Sequence, residues 1–251
     1  MTPPLKDAFS AAMREQDDAI DLAQAALLMA QCFIGPFQVS HYLSKLDAIA
    51  ASLEDSTVLA ATDIEKIELV SDHLVNDQGF SGYQEDYYHP DNSMLNRVLE
   101  TGRGIPITLS LIYIEVGQRL GLPLWGIGIP RHFIIGCGDV ENAVYVDAFN
   151  GGKILSESDC FRLSGIGINH AASFKAKFLK PVSKKSILFR MLLNLKHIYL
   201  SRKDWERAYT ALDLMLVVYP DQINELKDRG LLAYRLNRLH RAAFDLKRYL
   251  F

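Results

Sequence analysis

The chain has 251 residues, 49% of them hydrophobic and 23% charged, enough apolar content for a sizeable core and too much for wholesale disorder. Its 27 basic and 30 acidic residues leave a net charge of -3, which excludes a whole-chain electrostatic case for nucleic-acid binding. The charge is uneven, because from Lys184 onward 14 Lys+Arg stand against 7 Asp+Glu, while the residues before Lys184 are net acidic.

From Leu5 to about Val75 apolar residues recur at helical spacing, as in Ala19, Ile20, Ala23, Ala26, Leu27 and Ala30, and again in Leu43, Leu46, Ile49, Ala50 and Leu53. Gly35-Pro36 separates two of these predicted helices. The apolar stretch Leu22 to Gly35 is broken by Gln24 and Gln31 and falls short of the roughly 20 residues a membrane span needs. Residues 1–7 lack the basic-then-apolar layout of a signal peptide, and Cys32, Cys137 and Cys160 are far apart and odd in number. A cytoplasmic protein without membrane span, disulfide or zinc site is expected.

Phe80 to Asn92, rich in Gly, Tyr, His, Pro and Asp, reads as an ordered surface loop, and a short helix is expected after Asn92 or Ser93. A helix then opens at Pro106, a residue suited to the first helical position, and stops at Gly121. Beyond Pro123 the period changes: residues 124–129, 133–137 and 143–149 read as antiparallel strands. After Pro181 the helical period returns. A shift of 34 residues sets Leu192 on Leu226, Tyr199 on Ala233, Ala208 on Ala242, Leu212 on Leu246 and Leu216 on Leu250, the period of a tetratricopeptide repeat. The second copy is expected to be unfinished and uncapped, leaving Leu239, Phe244, Leu250 and Phe251 on an open apolar face.

Candidate chemistry centres on His132 and Asp147. They flank Gly136, Gly138, Asp139, Glu141 and Asn142, read as a turn, so the two side chains are expected to oppose one another across adjacent strands. A carboxylate that orients an imidazole is two thirds of a nucleophilic triad. Thr108 and Ser110 are the hydroxyl candidates near the helix start. Cys137, at odd spacing from His132, is expected on the opposite strand face and buried. His73, His89 and His170 have no histidine partner at helical spacing, and neither metal nor cofactor is expected.

Gly104-Ile105-Pro106 opening a helix that ends at Leu120-Gly121-Leu122-Pro123, followed by His132 and Val146-Asp147, resembles the core of the transglutaminase-like (papain-like) superfamily. Tyr87, Tyr88, Asn92, Asn96, Gly104 to Ser110 and Pro130-Arg131-His132-Phe133 are similar to the bacterial SirB-one family, which pairs this domain with C-terminal tetratricopeptide repeats. The resemblance implies that His132 is the base, Asp147 its orienting partner, and the tyrosines and asparagines cleft residues. It also implies a cysteine where this chain has Pro106, and a glycine where it has Arg131.

These readings predict an α+β chain: residues 1–181 a transglutaminase-like domain with a helical N-terminal segment, residues 182–251 tetratricopeptide-like helices. The expected function is a non-catalytic protein-interaction or regulatory adaptor, binding a protein partner through the repeats, with self-association left open. A hydrolase or acyl-transfer enzyme built on the His-Asp pair is one alternative. A regulator binding nucleic acid through Arg229, Arg235, Arg238, Arg241, Lys247 and Arg248 is another; no base-reading motif is present for it, and such residues more commonly form a solvated helix face.

Overall fold

The computed structural model describes residues 3–167, 169 and 171–250. His170 and Phe251, both named above, lie outside the described residues. The chain divides into two compact units: a helical one of residues 3–37, 88–90 and 184–250, and a mixed one of residues 38–87 and 91–183. No described helix is long and apolar enough to cross a membrane.

The helical unit begins with α1 (Pro3–Ala12) and α2 (Leu22–Ile34). Asp21 starts α2 by accepting the Gln24 backbone N–H at 2.8 Å, and alanines 23, 25, 26 and 30 are completely buried. A helix so short of polar residues needs partners on several sides. These are found within the unit, where α2 packs on α10 (Lys184–Ser201) and α11 (Trp205–Val218). Residues 3–37 therefore pack with the C-terminal helices, whereas the sequence grouped them with the transglutaminase-like segment. The unit is completed by α12 (Ile223–Arg235) and α13 (Leu239–Leu250).

The 34-residue offset is visible in the backbone. Lys203 (φ 58°) and Asn237 (φ 58°) are left-handed at equivalent points, and each ends a helix with the same bonds: Asp204 N–H to Tyr199 O at 2.9 Å, and Arg238 N–H to Ala233 O at 2.8 Å. Ala208 and Ala242 are both buried, and Gly230 lets α12 and α13 close up, since a Cβ there would stand 2.8 Å from Leu246. Arg229 lies only 4% exposed, bonded twice to Asp245 (2.7 and 2.8 Å) and once to Asp213 (2.6 Å), and the Lys6 ammonium bonds the same Asp213. Such a network costs desolvation but holds register, and removing one member strands the others.

The mixed unit opens with α3 (Val39–Ala51), α4 (Glu54–Leu59) and α5 (Asp63–Asp72), whose N-terminus carries a reciprocal Thr62/Glu65 capping box. A π-helical turn, His73–Asp77, follows. The loop expected at 80–92 is partly ordered into β1 (Ser81–Gly82), which pairs in parallel with β2 (Arg103–Gly104), and into a 3-10 turn at Pro90–Ser93. Between them runs α6 (Leu95–Thr101). Next comes α7 (Pro106–Arg119), buried from Pro106 to Gly117.

The antiparallel sheet has the order β3 (Leu124–Ile129), β4 (His132–Cys137), β5 (Val144–Asp147) and β6 (Lys153–Leu155). The first three strands match the expected ones to within a few residues; β6 was not foreseen, being three residues long with two exposed positions. Trp125 covers Gly136, where a Cβ would stand 2.5 Å from the indole. The face bearing Ile127, Ile129, Ile134, Tyr145 and Leu155 packs on Cys160 of α8 (Glu157–Ser164) and Phe174 of α9 (Ala171–Phe178), while α7 packs on the other, with Gly117 against Leu124.

Candidate functional site

The β4–β5 ladder pairs Ile135 with Val146 and Gly136 with Tyr145. Steps of two from these pairs place His132, Ile134, Tyr145 and Asp147 on one sheet face. There His132 Nε2 lies 2.9 Å from Asp147 Oδ1. A carboxylate only accepts, so Nε2 carries the proton and Nδ1 is the basic nitrogen of the neutral ring.

Asp147 is 1% exposed, and both of its oxygens accept hydrogen bonds. Besides His132, Oδ1 accepts the backbone N–H groups of Phe149 (3.1 Å) and Asn150 (3.3 Å), and Oδ2 accepts the Asn150 side-chain amide at 2.7 Å. Burial works to raise this carboxyl, yet the His132 bond and charge and the Asn150 donors outweigh it and hold it below its ordinary value.

Around the pair, the Phe149 ring meets both His132 and Tyr87 edge-on at 6.0 Å between centroids. Gly82 lies against Phe149, and its partner in β2 is Gly104, two residues before Pro106. This chain of contacts brings the start of α7 and the dyad to one corner of the unit.

The other residues singled out in the sequence separate into distinct roles. Pro106 is buried as the first residue of α7. Thr108 and Ser110 are completely buried and their hydroxyls have no hydrogen-bond partner among the described residues, so neither bonds His132. Asn92 organises the preceding loop, donating to the carbonyls of Asp86 (2.8 Å) and Tyr87 (3.4 Å), while its own carbonyl takes the Ile105 N–H. Asn96, 1% exposed, is on α6. Tyr88 belongs to the helical unit, where its carbonyl accepts from Arg202 at 3.2 Å. Arg131 is exposed in the β3–β4 turn with φ 65°, its guanidinium against Gly165.

Three residues missed in the sequence join the site. Asn150, Lys153 and Arg162 line a cavity of about 420 Å³ together with Asp147, Asp159 and Leu163. The short strand β6, which brings Lys153, has no alternation by which to find it.

No thiol takes part. Burial pushes the Cys32 and Cys160 thiols up to about 12 and Cys137 to about 11, which leaves them protonated and inert at neutral pH. Among the described residues no group of three or more His, Cys, Asp or Glu is placed to hold a metal.

The basic C-terminal side chains are engaged within their unit. Arg229 sits in the carboxylate network, Arg238 bonds Glu206 at 2.6 Å, and Arg235 stacks 4.0 Å from the centre of the Trp205 ring. Arg229 thus corrects the expectation of a solvated basic face.

Comparison with known proteins agrees with this architecture. Residues 40–193 match the transglutaminase-like superfamily and residues 195–250 the tetratricopeptide repeat. A UPF0162 protein of Xylella fastidiosa (strain Temecula1) is 33% identical over 93% of this chain and 84% of its own length. A UPF0162 protein of Vibrio cholerae is 28% identical over 94% and 87%, and human F-box only protein 21 is 30% identical over 77% of this chain but 32% of that protein. The chain belongs to the transglutaminase-like superfamily and to the UPF0162 proteins, with tetratricopeptide-repeat helices following the transglutaminase-like domain.

Proposed function

We propose that this protein is a non-catalytic protein-interaction or regulatory adaptor at its transglutaminase-like cleft, with the repeat helices as partner-binding surface. The observation that carries this reading is Pro106 in the place where the superfamily has its cysteine: a helix N-terminus favours thiolate, but here it acts on a ring with no ionisable group. Supporting it, both Asp147 carboxylate oxygens accept bracing bonds, and the Thr108 and Ser110 hydroxyls do not engage His132.

For the partner, the helical unit offers a cavity of about 510 Å³ lined by Trp205, Leu212, Leu231, Leu232, Tyr234 and Arg235. Leu231 and Tyr234 are 54% and 69% exposed, an aromatic and aliphatic anchor pair of the kind that dominates interfaces. Leu239, Phe244 and Leu250 continue the exposed apolar surface.

The test has two arms. Purified protein supplied with a glutamine peptide and a primary amine should show no amine incorporation, and iodoacetamide should change nothing; turnover lost on His132→Ala would overturn the reading. A photo-crosslinking amino acid at position 234 should trap one defined protein partner in cells, with Leu231→Glu abolishing the adduct. Absence of any specific adduct would remove the interaction half of the proposal.

A further inference from the structure

A second histidine, remote in sequence from the dyad, faces a serine hydroxyl. The π-helical turn His73–Asp77 brings residues four apart to one side, and His73 Nδ1 lies 2.7 Å from Asp77 Oδ2. Across the ring, His73 Nε2 lies 3.1 Å from Ser52 Oγ, just past the end of α3, and 3.2 Å from Gln78 Nε2. Asp77 only accepts, so the neutral ring holds its proton on Nδ1 and presents the Nε2 lone pair to the two donors. That is the tautomer a general base requires.

Ser52 and Gln78 both line a cavity of about 550 Å³, whose apolar wall includes Ile49, Phe80 and Leu99 and whose rim carries Lys45 and Glu100. The Glu100 carboxylate is already engaged by Tyr42 and by Arg97. The Ser52 hydroxyl also stands 2.7 Å from the Ile49 carbonyl, a second acceptor beside the His73 ring nitrogen.

We propose that Ser52, His73 and Asp77 form a serine acyl-transfer site that hydrolyses small esters of short aliphatic acids, independent of the His132 cleft. In the first half, Ser52 Oγ bonds the ester carbonyl carbon as its proton passes to His73 Nε2; the C–O bond to the alcohol then breaks, and the alcohol leaves with that proton. In the second half, water adds its oxygen to the acyl carbon and gives a proton to Nε2. Breaking the Oγ–acyl bond releases the carboxylic acid and returns the proton to Ser52. Net, ester and water become acid and alcohol. Ser52 and His73 are the catalytic residues, and Asp77 is a positioning residue.

The full chain should be treated with a fluorophosphonate probe and assayed with p-nitrophenyl butyrate. Peptide mass spectrometry of the labelled protein should place the adduct on Ser52, a measurement that needs no variant. Ser52→Ala and His73→Ala, checked for unchanged thermal melting, should lose labelling and lower ester turnover at least about 100-fold. Asp77→Asn should lower kcat with KM unchanged, and Asp77→Glu should restore part of it. A folded wild-type protein that takes no label, an adduct on another residue, or turnover retained in Ser52→Ala would overturn the proposal.

Discussion

Two histidine–carboxylate pairs in the mixed unit are built by different backbones and differ in what they leave available. His132 and Asp147 meet across a strand ladder, and the carboxylate is 1% exposed with each oxygen occupied by protein donors. His73 and Asp77 meet within one π-helical turn, where the Asp77 side chain is 64% exposed and a serine hydroxyl stands at the far ring nitrogen. Burial with complete hydrogen bonding makes the first carboxylate a brace for the hairpin and its following turn. Exposure of Asp77 makes the second carboxylate nearly irrelevant to stability, while the His73 ring, itself 13% exposed, faces Ser52 on a cavity wall. The two pairs look alike in bond length and differ in what surrounds the bond.

Stability measurements sharpen this contrast most. Asp147→Ala strands the N–H groups of Phe149 and Asn150 and the His132 ring in a buried corner, and should cost about 3 kcal/mol in urea unfolding. Asp77→Ala should cost no more than about 0.5 kcal/mol, as for an exposed helix pair. Equal losses would erase the distinction between brace and open site.

Acid provides the next test. Because the Asp147 carboxyl is held below its ordinary value in the folded chain, its contribution is complete above the unfolded carboxylate value, near 4, and is lost as pH falls through that value toward its own lower one. Between pH 7 and pH 3 the wild type should therefore lose more unfolding free energy than Asp147→Asn does. Parallel pH curves for the two proteins would show that the His132 bond does not favour the charged form.

The smallest expected effect is on packing beside the dyad. Phe149→Leu keeps apolar volume but removes the ring edge shared by His132 and Tyr87, and should cost roughly 1 kcal/mol. A silent substitution would mean that the aromatic contacts do not help hold His132 in place.

Much of the architecture was legible along the chain. The strands read from β-branched runs between turn residues, and the helix opening at Pro106 from its apolar stripe and the proline itself. The 34-residue offset reappears as matched left-handed residues at Lys203 and Asn237. The dyad was legible because strand pairing about a known turn is local arithmetic. Ser52 and His73 were not, since they lie 21 residues apart and meet only in the folded unit; His73 and Asp77 at i, i+4 were the one visible signal.

By itself the sequence determined the local periods: where most of the chain is helical, where most of it is extended, and which residues open and close those elements. These follow from steric and hydrogen-bonding preferences of neighbouring residues. Tertiary structure alone decided that residues 3–37 pack with the repeat helices, that Arg229 is buried between two aspartates when its spacing suggested a solvated face, and that Ser52 comes within reach of His73. Such outcomes depend on which apolar faces cover one another, a choice set by burial summed over distant segments and therefore written in no single stretch of the chain.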